Sequence, residues 1–363
     1  MHQAGWFTRL WTVAVLAALQ AANGQSLAER AQAALDAFVK EAPAPGISAA
    51  IWADGKVAFE GGSGFADIGG QRKADASMVH RTASIAKPMT ATGVMRLVEQ
   101  GKIDLDAEIH AYLPDFPKKE WPITVSHLLS HTSGIRHYQR AGESATNVHY
   151  DSFAGAMKVF QDAKLAFEPG TDYLYSTYGY TVLGAIIEKA SGLSYEDYMR
   201  ANIWGPAGMT STELEVRGRE IPNQAVCYLK SKDNTFPLSP PTDLSVKYPG
   251  GGMVTTASDL VRFCNAFAEA KLVSPATRDL MLTIVKVPGN DKSFYGLGWE
   301  VFNDKELGHL IAHDGNQAGT STNMAYYRDH GIGVAVLVNV NNVKVIEITR
   351  QLAMAALDTK PGK

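Results

Sequence analysis

The chain has 363 residues, with 34 lysines and arginines against 37 aspartates and glutamates and a formal net charge of -3. Hydrophobic residues are 45% and charged residues 20% of it, which excludes a wholly disordered, collagen-like or low-complexity chain. The lack of a basic excess argues against a dedicated nucleic-acid binder, and a chain this long can bury about three quarters of its extended surface, enough for one large domain or two packed closely.

In chain order, residues 1–24 read as a secretory signal. Arg9 supplies the positive start, residues 10–19 the apolar run, and Ala22 and Gly24 the small residues of a cut before Gln25. The run falls short of the roughly 20 residues a span needs, so the expectation is a periplasmic or secreted protein with no stable membrane insertion. Cys227 and Cys264 fit one disulfide or two buried thiols equally.

Ser26-Leu27-Ala28-Glu29 is a capping box, and Leu27, Ala31, Leu35 and Phe38 recur at helical spacing, so a helix is expected over 27–41, stopped by Pro43, Pro45 and Gly46. Asp54-Gly55 marks a hairpin turn between strands 47–52 and 56–60, and the glycine-rich stretch 61–70 reads as loop. Residues 84–100 read as a helix with Ile85, Met89, Val94, Leu97 and Val98 on its apolar side, Pro88 in its first turns and Gly101 at its end. From 102 to about 250 the pattern is helical (124–130, 152–163, 178–190, 194–201) between loops, with little period-2 alternation. A helix opens at Ser258 and another at Ser274-Pro275. Strands follow at 295–302, 308–315, 320–328 and 332–340, the last two joined by Asp329-His330-Gly331, before a closing helix over 343–357.

Strands and a helix at each end thus enclose a helical block. Neither terminal set buries a sheet face alone, so the expected fold is α+β: one antiparallel sheet flanked by the N- and C-terminal helices, with a mostly helical insertion. Residues 25–80 plus 251–363 are assigned to the sheet domain and 81–250 to the helical domain, with the active site at their junction.

Ser84-Ile85-Ala86-Lys87 places a hydroxyl and an amine on one side of a helix start. A serine needs a nearby base to become a nucleophile, an enclosed amine can lose its proton, and the free N–H groups of a helix start suit negative charge developing on an attacked carbonyl. An N-cap serine with a solvated lysine is the competing reading of these four residues alone.

Three elements in order resemble the serine β-lactamase and penicillin-binding-protein superfamily, on its class C side. They are Ser84-x-x-Lys87, then Tyr175-Ser176-Thr177 followed by Tyr178-Gly179-Tyr180, then His313-Asp314-Gly315. Residues 45–57, 128–135, 167–171 and 251–260 support the likeness, which covers nearly all of the chain beyond residue 24. It implies an antiparallel sheet with helices and a helical insertion, the site between them. It also implies that Ser84 forms an acyl-enzyme, that Lys87 and Tyr175 share the general-base and proton-return work, and that the backbone N–H groups of Ser84 and Asn316 form the oxyanion hole. Tyr175 needs its phenol lowered by positive charge, for which Lys87 is the candidate, if it is to act as a base; a core tyrosine is the other reading of that aromatic run. Thr177, His313, Gly315 and Asn316 are assigned to substrate binding.

Two positions depart from the superfamily pattern. Thr177 replaces the usual Asn and offers one hydroxyl in place of an amide, so contact to a substrate amide or to Lys87 is expected to change. His313 replaces the usual Lys and removes a fixed cation, which counts against efficient β-lactam hydrolysis; the esterases and aminopeptidases of the superfamily often carry a His-x-Gly version. Tyr175-Ser176-Thr177 with residues 131–138 is most similar to the mitochondrial serine β-lactamase-like branch.

His127, His131 and His137 lack the Glu of a zinc helix, and neither a P-loop nor a G-x-S-x-G elbow occurs. The expectation is an exported serine hydrolase with no metal or organic cofactor, acting on small peptide or carboxylic ester substrates. A true class C-like β-lactamase or D,D-carboxypeptidase and a noncatalytic cell-wall peptide-binding protein are the alternatives.

Overall fold

The computed structural model describes residues 25–140, 142–233, 235–288 and 294–359, so the expected secretory signal lies outside the described residues. Helix α1 (Leu27–Glu41) opens with the expected capping box: the Ser26 hydroxyl accepts from the Glu29 N–H, and the Ser26 N–H donates to the Glu29 carboxylate at 2.8 Å. Strands β1 (Gly46–Ala53) and β2 (Lys56–Asp67) form the hairpin turned at Asp54-Gly55, both with positive φ. The glycine-rich stretch, expected as loop, is strand up to Asp67 and turn only over 68–70. β2 runs into it, because its glycines serve close backbone approach: a Cβ on Gly62 would stand 2.7 Å from the Asp75 N, and one on Gly64 would overlap the Pro45 carbonyl.

The short β3 (Arg72–Lys73) and β4 (His80–Arg81) precede a 3-10 turn at Ala83–Ile85 that runs into α2 (Ala86–Glu99). Nearly every residue of α2 is buried, as expected of a helix enclosed on all sides. Helices α3 (Val125–Leu129), α4 (Phe153–Met157), α5 (Thr177–Ser191) and α6 (Tyr195–Met199) follow. α4 is shorter than the expected 152–163. Then come β5 (Glu213–Leu214), α7 (Tyr248–Gly251), β6 (Met253–Thr255), α8 (Ala257–Ala268) and α9 (Pro275–Met281). The C-terminal portion holds β7 (Glu300–Asp304), β8 (Gly308–Gln317), β9 (Thr320–Tyr327), β10 (Ile332–Val338) and α10 (Ile346–Leu357). The strand expected from 295 begins only at Glu300, because the chain first doubles back through Gly298 at φ +87°, with the Gly296 N–H donating to the Trp299 carbonyl.

Seven strands form one antiparallel sheet in the order β3-β2-β1-β10-β9-β8-β7. The two ends of the chain meet where β1 pairs with β10, from Ile47 opposite Val338 to Trp52 opposite Gly333. Period-2 alternation sends Ile332, Val334, Val336 and Val338 to one face, where they pack with Leu35 of α1 and Leu352 of α10. Ala335 and Leu337 go to the other face and join a core continuous with α2, α5 and α8. A second small sheet, β4-β6-β5, ties the entrance of the helical block to its exit. Both cysteines are free thiols, Cys264 buried and Cys227 half-buried. No described helix is long and apolar enough to cross a membrane.

Candidate active site

Ser84 sits in the 3-10 turn ahead of α2, at the floor of a cleft of about 660 Å³ between β8 and the helical block, a size that suits a small organic substrate. Arg81, three residues earlier, is clamped to Glu215 at 2.5 and 2.7 Å and to the Ala318 carbonyl at 2.9 Å. Ala83 adopts φ +47°, a left-handed conformation that costs a non-glycine residue about 1–3 kcal/mol. The surrounding clamps hold that strained turn and present Ser84 to the cleft.

The Lys87 amine lies 3.0 Å from the Ser84 hydroxyl and donates to the Gly250 carbonyl at 2.7 Å. It is fully buried, and that burial, with the charge of Lys247 added, holds it well below the usual amine range. Tyr175 shares a hydrogen bond with Ser84, and its ring centroid stands 4.7 Å from the Lys87 nitrogen. From the sequence this phenol is expected to be lowered by a Lys87 cation. The structure reverses that: burial pushes Tyr175 well above the ordinary phenol range, the Ser84 hydrogen bond offsets it only in part, and the charges of Glu300 and Asp314 push the same way as burial. The amine is the member of the pair suited to accept a proton, and the phenol the member suited to hand one on.

His131 frames Tyr175 from three directions. Its carbonyl accepts from the Leu174 N–H at 2.9 Å, its Nδ1 accepts from the Ser176 N–H at 3.1 Å, and its ring lies 4.3 Å from the Tyr175 ring. Thr177 opens α5 in the cleft wall, but its reach differs from the expected contact to Lys87. Its side chain shares a hydrogen bond with Tyr138, and its methyl packs where a Cβ on Gly250 would stand, 2.6 Å away. It therefore meets Lys87 only through the glycine whose carbonyl holds the amine.

β8 forms the sheet side of the cleft. β7 pairs with it only from Glu300 opposite Ala312 to Asp304 opposite Gly308, so among the described residues the stretch His313–Gln317 has no strand on that edge. Gly315 faces the nucleophile: a Cβ there would stand 2.9 Å from the Ser84 N and from the Ala83 Cβ. Asn316 borders the same cleft, its side chain turned to Asn342, with Nδ2 donating to Asn342 Oδ1 and Oδ1 accepting from the Asn342 N–H, both at 2.8 Å.

His313, expected to meet substrate, is instead packed behind the cleft wall with 1% of its side chain exposed. Its Nδ1–H donates to the Asp314 carbonyl at 2.6 Å and its Nε2 accepts from the Tyr295 hydroxyl at 3.0 Å. Burial lowers it to about 4, so it is neutral near pH 7. Glu300, His313 and Asp314 each offer a ligand atom within 4.8 Å of the others, but both His313 nitrogens are engaged inside the protein.

Three ionisable cleft residues escape the sequence reading. Lys247 precedes the Tyr-Pro-Gly-Gly-Gly run, is 2% exposed, donates to the Ser144 carbonyl at 2.6 Å and is pushed down to about 7 by burial and by Arg81. Glu300 is pushed well up by burial and by Asp314; an acid following Trp299 in an apolar run was the available signal. Asp314 lies between His313 and Gly315, and the motif alone assigns it no role.

An antiparallel sheet carrying a helical insertion, with a serine, a lysine one turn on and a tyrosine from the insertion meeting in the junction cleft, defines a serine-hydrolase class of site. Residues 31–357 match the Beta-lactamase family, and the chain belongs to that family. The chain is similar to the mitochondrial serine beta-lactamase-like protein LACTB of Homo sapiens, 28% identical over 377 residues, 78% of this chain and 68% of the relative. It is also similar to a penicillin-binding protein of Bacillus subtilis, 30% identical over 290 residues, 76% of this chain and 64% of the relative. Among solved structures, a D-stereospecific amidohydrolase from a Streptomyces species superposes with a TM-score of 0.76 at 25% identity, covering 89% of this chain and 97% of that one.

Proposed function

We propose that this chain is a serine hydrolase that cleaves amide or ester bonds of small peptides and carboxylic esters through an acyl-enzyme on Ser84. The observation that carries this reading is the Lys87 amine, buried, held below its usual range and 3.0 Å from the hydroxyl. Ser84 Oγ attacks the carbonyl carbon as Lys87 Nζ takes its proton. The N–H groups of Ser84 and Asn316 receive the oxyanion. Collapse breaks the bond to the leaving group, which takes a proton returned from Lys87 through Tyr175. Water then attacks the acyl carbon, giving its proton back along the same route, and frees Ser84. Amides and esters are favoured over penicillins because the residue in the lysine position, His313, is neutral and turned away from the cleft; the amidohydrolase named above is consistent with this choice. Export to the periplasm or beyond is part of the same reading and rests on Arg9 and the apolar run after it; the N-terminal sequence of the mature protein tests it.

Labelling by a fluorophosphonate and turnover of 4-nitrophenyl acetate and butyrate test the chemistry. Ser84→Ala should abolish labelling and lower kcat/KM by about a thousandfold or more. Stoichiometric labelling of the alanine variant at another residue would sink the assignment.

A further inference from the structure

A substrate lying beside Ser84 must run along the partnerless edge of β8 at residues 313–317. Side chains alternate along that edge. Gly315 turns inward to the nucleophile, whereas Asp314 is exposed at the rim and lines the cleft. Asp314 is two residues from Asn316, about 7 Å along the strand, so its carboxylate meets a substrate within a few bonds of the carbonyl under attack.

The rest of the lining leaves this charge unanswered. Glu300, buried beside Asp314 and hydrogen-bonded to it, is pushed well above the usual carboxylate range by burial and by Asp314, whereas Asp314 itself is exposed at the rim. His137 is pushed down to about 4 and is neutral near pH 7. The Lys247 nitrogen is turned to the Ser144 carbonyl and stands 5.6 Å from the Tyr138 ring centroid. Lys87 is spent on Ser84 and the Gly250 carbonyl. A carboxylate on the substrate would enter against the Asp314 charge, and an ammonium would find it.

We infer that Asp314, seconded by Glu300, selects substrates that carry a primary or quaternary ammonium close to the scissile carbonyl over those that carry a carboxylate there. This rests on the hydrolase reading above and adds the substrate's charge to it. Asp314 is a binding residue on this account and takes no part in bond making.

Two matched sets of substrates test it on the full chain, one for each side of the scissile bond. The acyl set is the 4-nitroanilides of glycine, N-acetylglycine and succinic acid, which present a cation, no charge and an anion. The leaving-group set is acetylthiocholine, S-acetylmercaptoethanol and S-acetylmercaptoacetate, followed by thiol release. In at least one set kcat/KM should rank cation over neutral over anion, with about tenfold or more between the extremes, and the ratio should shrink in salt. Asp314→Asn should collapse the ratio toward one and Asp314→Lys should invert it, with the neutral member of each set as internal reference and Ser84 labelling as the check on folding. Glu300→Gln should keep the ranking, because the amide can still hydrogen-bond to Asp314, whose carboxylate is the one exposed to the cleft. Ser84-dependent turnover of the neutral members with no ranking by charge in either set overturns the inference and leaves the hydrolase reading standing. A ranking that survives unchanged in Asp314→Asn also overturns it. No Ser84-dependent turnover of any member overturns both.

Discussion

An amine that takes a proton from a hydroxyl must first be without its own, and two features of the site push Lys87 toward that state: complete burial and the neighbouring charge of Lys247. Asp314 and Glu300 act in the opposite sense without outweighing them, and the net direction is well downward. The serine, the lysine and the tyrosine were legible in the sequence because three short motifs occur in a fixed order. Their protonation states were not, because burial is a property of the closed cleft and not of Ser-x-x-Lys. Lys247 supplies a test with a definite sign. Below about pH 7 it carries a charge that depresses Lys87. Lys247→Met removes that charge, so Lys87 should hold its proton to higher pH and the acid limb of kcat/KM for 4-nitrophenyl acetate should move upward. A limb that stays in place or moves down would show that Lys87 is not the group being titrated.

Elements set where these residues stand. The wall opposite β8 includes His137 and Tyr138, whose segment is fastened by Arg136. The guanidinium holds the Glu143 carboxylate at 2.7 and 3.1 Å and also donates to the His137 and Val159 carbonyls. Burial pushes Glu143 up, but the Arg136 pairing together with the Gln139 and Arg140 N–H groups outweighs it and pulls Glu143 down to about 2, against 4.5 when unfolded. Its stabilisation is therefore complete above about pH 4.5 and lost as pH falls toward 2. Glu143→Gln should cost about 2–3 kcal/mol at pH 7 and nearly nothing at pH 2, measured by urea unfolding across that range. An equal cost at both pH values would mean that the ion pair contributes little. The sequence offered no sign of this tether, since an Arg and a Glu seven apart in a loop carry no periodicity. β10 was legible because a continuous apolar run buried on both faces leaves few other readings. β2 was misread because glycine marks close backbone approach as readily as it marks a turn, and only the neighbouring strand distinguishes the two.

Across the whole molecule, one sheet is assembled from both ends of the chain, and the helical block is inserted between its strands. The terminal helices cover one face of that sheet, where Leu35 and Leu352 meet the β10 valines, while α8 packs on the other and α2, carrying Lys87, lies in the core continuous with it. The cleft thus depends on a layer it never touches. Leu352→Ala should destabilise the chain by about 2–5 kcal/mol through the lost contacts and the cavity. The kcat/KM per Ser84 titrated by fluorophosphonate should stay unchanged in the folded protein, because Leu352 lies across the sheet from the nucleophile. The buried Trp299 is stacked on Phe267 of α8 at 4.5 Å, and the buried Trp204 lies in the helical block, so tryptophan emission reports both regions. With one continuous core joining them, loss of activity and the emission change should share a urea midpoint, and both should fall together in Leu352→Ala. Separated midpoints would show that the helical insertion unfolds as a unit of its own, with the sheet intact beneath it.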